Sequence, residues 1–193
     1  RHDVPMFRFA NPETLSVSAK QAGDRKIALH DSADRIAVLD TQGIDIQVIS
    51  PTPFHCYYEA DPTVALQGTC MTNDGIAEFV AKAPKRFVGF GTVTLQDPEA
   101  AAAELERCVK ELGFKGALIL TNVNGAPIST PELDVFYATA ERLGAVIFIH
   151  PNGFTAAERI SRYYLNNTIG NPLETTIALH AIILDGVLER YPA

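Results

Sequence analysis

Helix and strand alternate four times along this chain with little text between them, and that rhythm confines it to a parallel α/β fold. Ser32 reads as a helix N-cap before Ile36, Ala37 and Leu39, Gly43 closes the helix, and the β-branched run 45–50 follows at once. A helical stretch over 61–83, carrying Val64, Ala65, Met71, Ile76, Phe79 and Val80, leads to a strand over 86–93. Asp97-Pro98-Glu99 supplies an N-cap, a proline at the first helical position and an acidic first turn. Its helix places Leu105, Cys108, Val109 and Leu112 at spacings of three and four, ends at Gly113, and feeds a strand over 115–121. An Asn124-Gly125 turn, a helix opened by Thr130-Pro131-Glu132 and closed by Gly144, and a strand over 145–150 complete the fourth unit. A last helix is expected over 177–188. Residues 1–32 hold Pro5, Pro12 and Gly23 with no sustained period and read as mostly loop or excursion, without a core of their own.

Strand starts near 45, 87, 115 and 145 make units of 28 to 42 residues, so four fit into 193 residues and eight do not. A closed (β/α)8 barrel needs roughly 200 residues at the least. The alternatives are a small open sheet or part of a barrel in one partial domain, 1–193. The apolar helix 182–188 favours the second, because its buried face asks for a following strand.

Charge and composition remove whole classes of partner. Lys and Arg total 16 against 23 Asp and Glu, a net charge of −7 with no basic block, which excludes nucleic acid and an anionic membrane surface as the main partner. The longest apolar runs are cut by His150, His180 and Asp185, short of the roughly 20 residues of a membrane span. Three separated cysteines, Cys56, Cys70 and Cys108, form neither a disulfide framework nor a Cys-x-x-Cys site, which fits a reduced, cytoplasmic protein. Arg1 in place of an initiator Met reads as a processed or cut chain.

Ligands of parallel α/β folds gather at the carboxyl ends of the strands. The loops there begin at Ser50, Thr94, Thr121 and His150, and all are polar at the tip. His150 ends a wholly apolar strand, where an imidazole suits a divalent metal or proton transfer; the alternative is a strand-capping histidine bonded to a nearby carbonyl. His55, between Pro53 and the next helix, is either a substrate contact or an exposed loop histidine. His55, Asn122, Asn152 and Phe154 are the candidate substrate contacts. His180 reads as a packed or surface helix residue. Gly89-Phe90-Gly91 lies inside a strand rather than after one, so it is read as close packing and not as a dinucleotide loop. Lys115 starts its strand, some 20 Å from the ligand end at about 3.3 Å per residue, and is expected to be solvated. No Gly-x-Ser-x-Gly elbow or phosphate-binding Gly-rich loop ending in Lys is present.

With these units laid out, the segments 34–50, 84–91, 95–98 (Leu-Gln-Asp-Pro), 111–116, Phe148-Ile149-His150-Pro151, and 170–176 through 188–192 resemble the amidohydrolase-related metal enzymes grouped with aminocarboxymuconate-semialdehyde decarboxylase. The resemblance covers about residues 32–192, in order and with similar spacing. It implies a (β/α)8 barrel with one divalent metal at its mouth, zinc first and manganese as the alternative, and no organic cofactor. It implies that His150 is the metal-ligating histidine ending the fifth strand, so that the chain corresponds to about strands two to five. The family's other ligands and its catalytic histidine then fall outside these residues, and Arg8 and Arg25 are the candidates for its carboxylate-contacting arginine. The expected activity is non-oxidative decarboxylation of an aromatic or muconate-like carboxylic acid, by a homo-oligomer such as a dimer. A hydrolase or hydratase of the same superfamily, or a non-catalytic fragment or binding module, are the alternatives.

Overall fold

The computed structural model describes residues 12–24, 26, 30–154 and 157–192. Helix α1 spans Pro12–Asp24 and α2 spans Ser32–Gln42. Strand β1 (Gln47–Ile49), helix α3 (Pro62–Ala81), strand β2 (Phe87–Thr92), helix α4 (Pro98–Lys110) and strand β3 (Gly116–Leu120) follow. A small hairpin, β4 (Asn122–Val123) and β5 (Ala126–Pro127), precedes helix α5 (Asp134–Leu143), strand β6 (Val146–His150), helix α6 (Asn171–Leu184) and the single turn α7 (Val187–Arg190).

The main sheet has the order β1-β2-β3-β6, and every pair in it is parallel. The order never reverses. Right-handed crossovers that always step the same way put all the intervening helices on one face and curl the sheet, as in a (β/α)8 barrel, whereas a doubly wound sheet reverses at a switch point. The chain therefore forms part of such a barrel, as the unit spacing and the last apolar helix lead one to expect.

Register sorts the two faces. A β-carbon on Gly89 would strike the Phe114 ring, and one on Gly91 would lie 2.7 Å from Cys108 Sγ, so the odd residues of β2 face the helices. Close packing is thus the role of the Gly-Phe-Gly sequence. The pairings Val48 to Val88, Thr92 to Leu118, and Leu118 to Phe148 carry the opposite face across the sheet. That inner face bears Val48, Phe90, Thr92, Leu118, Leu120, Phe148 and His150. The turn Pro53–Cys56 and Tyr58 cover its centre: Thr92 Oγ1 donates to Cys56 Sγ at 3.4 Å, and Cys56, Tyr58, Leu118 and Leu120 share one buried cluster. Val48 on β1 and Phe148 on β6 stay open, 48% and 45% exposed.

Local signals account for most of the boundaries. Asp97 Oδ1 accepts from Ala100 N at 3.1 Å, and Gly43 and Gly144 take the left-handed conformation that closes α2 and α5. Strand and helix ends shift by one or two residues, and four other differences from the sequence reading stand out. Asp31, one residue earlier than Ser32, caps α2, because its carboxylate reaches Ala33 N and Asp34 N. Residues 12–24 are helical rather than mostly loop; α1 leaves Leu15 and Val17 exposed, and its described side chains form no buried stripe. Pro131–Leu133 is a separate 3-10 turn ahead of α5. Helix α6 starts at Asn171, six residues before the expected start, and Gly186, at φ 71°, separates it from α7.

Candidate functional site

His150 is the last residue of β6, paired with Leu120 at the carboxyl end of the sheet and facing the inner side. Its Nδ1 lies 2.6 Å from the carbonyl oxygen of Pro151. A carbonyl only accepts, so in the neutral ring Nδ1 carries the proton and Nε2 keeps its lone pair. The ring is half-buried and packs edge-on against Phe148 at 6.4 Å, and Phe148 in turn meets Phe90 at 6.4 Å. An aromatic row thus runs across the inner face up to the imidazole. Among the described residues, no group of three or more His, Cys, Asp or Glu comes together to hold a metal ion.

The other expected contacts have different surroundings. His55 sits in the Pro53–Cys56 turn after β1, half-buried rather than openly exposed, with Nδ1 3.0 Å from Thr52 Oγ1 and its ring edge-on to Tyr57. Burial lowers its pKa below the usual 6.5, so it is neutral near pH 7. Because β1 and β6 are the two edges of the described sheet, three strand spacings, or roughly 14 Å, separate the strand ends beside which His55 and His150 stand. Asn122 is committed at both ends of its amide: Oδ1 accepts from Gly125 N at 2.9 Å, and Nδ2 donates to Glu174 Oε1 at 2.8 Å. It ties the β4–β5 turn to α6. Asn152 follows the site strand, and its Oδ1 is buried with no hydrogen-bond partner among the described residues. Phe154 is half-buried against Gly170. Arg8 and Arg25 lie outside the described residues. His180 is exposed on α6, with Nδ1 2.8 Å from Thr176 O, and Lys115 is exposed as expected.

Sequence reasoning passes over the segment that faces this loop. A π-helical turn, Asn166–Gly170, leads directly into α6. Asn166, 2% exposed, accepts from Phe154 N at 3.3 Å, and Asn171 Oδ1 accepts from Gly153 N at 3.2 Å. The Asn166-Asn167 pair and Asn171-Pro172 are visible in the sequence, but a π turn has no periodic signature there.

Comparison with known proteins identifies the family and the fold. The family model described as Amidohydrolase matches residues 11–193. The chain is 40% identical over 158 residues to a 2-amino-3-carboxymuconate-6-semialdehyde decarboxylase of Dictyostelium discoideum, covering 82% of this chain and 44% of that protein. It is 35% identical over 201 residues to a gamma-resorcylate decarboxylase of Polaromonas sp. strain JS666, covering 96% of this chain and 62% of that protein. A crystal structure of a dihydroxybenzoic acid decarboxylase from the same Polaromonas strain, with bound manganese and the inhibitor 2-nitroresorcinol, superposes with a TM-score of 0.81 at 32% identity, over 95% of this chain and 60% of that one. The chain spans about half the length of the curated relatives it matches, 44% and 62%. On the family match over residues 11–193 and these identities, the chain belongs to the amidohydrolase family.

Proposed function

We propose that the protein carrying this chain is a metal-dependent carboxy-lyase that releases CO2 from an aromatic or muconate-like carboxylic acid without an organic cofactor. The observation that carries the reading is His150, an imidazole at the carboxyl end of a barrel strand whose Nδ1 is spent on Pro151 and whose Nε2 is left for a ligand. The relatives' names support the reaction type, and the manganese in the Polaromonas structure supports a divalent ion, with zinc as the other choice. A metal site of this kind takes three or four protein donors. The described residues bring one imidazole to it, so His150 is a member of such a set and does not hold an ion alone.

Losing CO2 leaves an electron pair on the former carboxyl-bearing carbon, which must be stabilised and then protonated. A bound divalent ion supplies electron withdrawal from the substrate oxygens. This chain's own residues supply the surroundings. The exposed Phe148 ring, backed by buried Phe90, offers an apolar surface beside His150 that suits an aromatic or conjugated acid. Asn152, whose buried Oδ1 has no partner among the described residues, and Phe154 line the loop after His150 as substrate contacts, and neutral His55 borders the mouth from the other edge. Asn122 contributes through the loop it braces, since its amide is already committed. The same reading makes the protein a cytoplasmic homo-oligomer, a dimer, acting on a small molecule.

The test is to strip the full-length protein of metal, reload it with Zn2+ or Mn2+, and measure CO2 release from gamma-resorcylate and from 2-amino-3-carboxymuconate-6-semialdehyde, the acids named for the relatives. Metal-dependent release from either supports the reading. A metal-loaded protein that decarboxylates neither these nor related aromatic acids overturns it.

A further inference from the structure

We infer that Asn171 and Asn166 are positioning residues that set the His150 imidazole, by holding the backbone three and four residues beyond it. This rests on the ligand role proposed for His150 and adds residues to it. The carbonyl that fixes the ring belongs to Pro151, inside a loop that has left the sheet and has no strand partner for its own N–H groups. Two of those groups are taken by side chains: Gly153 N–H by Asn171 Oδ1 and Phe154 N–H by Asn166 Oδ1. Both amides come from one continuous helical stretch, the π turn and the first residue of α6.

The packing leaves this clamp little play. Gly153 holds φ 85°, a left-handed conformation that frees its N–H to point at α6. At Gly170 a β-carbon would lie 3.0 Å from Phe154 Cβ, 2.9 Å from Ile160 Cδ1 and 3.2 Å from Asn166 Oδ1, so a side chain there would crowd the amide against the loop. Asn166 is 98% buried by its 2% exposure, and its Nδ2 has no partner among the described residues. An amide kept inside at that cost is retained for its oxygen, which Phe154 uses. If the clamp lets go, the Pro151 carbonyl swings, and the imidazole loses the partner that orients it and selects its tautomer.

Asn171 allows a clean test, because an aspartate there keeps the acceptor oxygen and suits the first turn of a helix. In the full-length protein, Asn171→Ala should weaken Mn2+ or Zn2+ binding, read by chelator competition, by about 10- to 100-fold, and lower kcat with little change in KM. Asn171→Asp should keep native affinity. Should the alanine variant fail to fold, Asn171→Ser keeps a helix-starting side chain that falls short of Gly153 and should show the same weakening. Loss of melting temperature alone, with native metal affinity in the alanine and serine variants, overturns the inference, and so does an aspartate variant as impaired as alanine. His150→Ala run in parallel separates the two claims. If it keeps its metal, the ligand role itself fails; if it loses metal while both Asn171 variants keep theirs, only the positioning role fails.

Discussion

Gly91 and Cys108 approach so closely that a β-carbon on the glycine would lie 2.7 Å from the cysteine sulfur and 3.1 Å from Asn73 Oδ1. The contact seats α4 against β2, the strand that positions Phe90. Gly91→Ala is expected to cost about 1–3 kcal/mol, the range for overpacking a dense core. The same change made in a Cys108→Ala background should cost clearly less, because the obstructing sulfur is gone. Equal penalties in the two backgrounds, measured by urea unfolding, would show that Asn73 rather than Cys108 sets the limit.

Glu104 is a buried carboxylate, 4% exposed, that gathers α3 and α4 around the end of β2. It accepts from Asn73 Nδ2 at 2.6 Å and from Arg107 Nε and Nη2, each at 2.8 Å, while Asn73 also brackets the Thr92 backbone through both of its amide atoms. Glu104→Ala leaves a buried amide donor and a mostly buried guanidinium without their main partner. We expect a loss of roughly 3 kcal/mol, discounted from the fully buried case because Arg107 reaches solvent. Thermal unfolding decides, and a change below the error of the method would mean that water replaces the carboxylate.

The pH response of His55 follows from its burial. Its folded titration midpoint lies below 6.5, so between that midpoint and 6.5 the unfolded chain binds more protons than the folded one. Stability from this group is therefore fully present above pH 6.5 and is lost as pH falls below it toward the folded value. NMR titration of the ring should give a midpoint under 6.5, and His55→Gln should flatten that limb of the stability curve. A midpoint at or above 6.5 would place the ring in water.

The barrel was legible because each βα unit announces itself locally: β-branched strands, helices with three- and four-residue spacing, and glycines such as Gly43 and Gly144 at the closes. The place of His150 at a strand end was legible for a related reason, as a polar residue terminating an apolar run. What escaped was structure that depends on partners distant in sequence. Nothing in Asn122 itself shows that Glu174, 52 residues on, takes its amide, and nothing in Asn171 shows that it answers Gly153. Helix α1 escaped because periodicity detects a buried face, and α1 leaves Leu15 and Val17 open.

His150→Ala in the full-length protein should remove most bound metal and activity while leaving the fold largely intact. The ring is half-buried at the strand end; it fills no part of the central cluster built from Leu118, Ile119, Phe136 and their neighbours, so its removal opens no core cavity. Its hydrogen bond to Pro151 O links adjacent residues and contributes little to holding distant elements together. A catalytic zinc, by contrast, has only three or four protein ligands and keeps one position for water, so the loss of one imidazole leaves too few donors to hold the ion or to set the acidity of its water. Elemental analysis beside circular dichroism reads both halves of the expectation. Metal content equal to wild type with activity kept would remove His150 from the ligand set, and a lowered melting temperature with unchanged metal would mark it as a strand cap bonded to its neighbour's carbonyl.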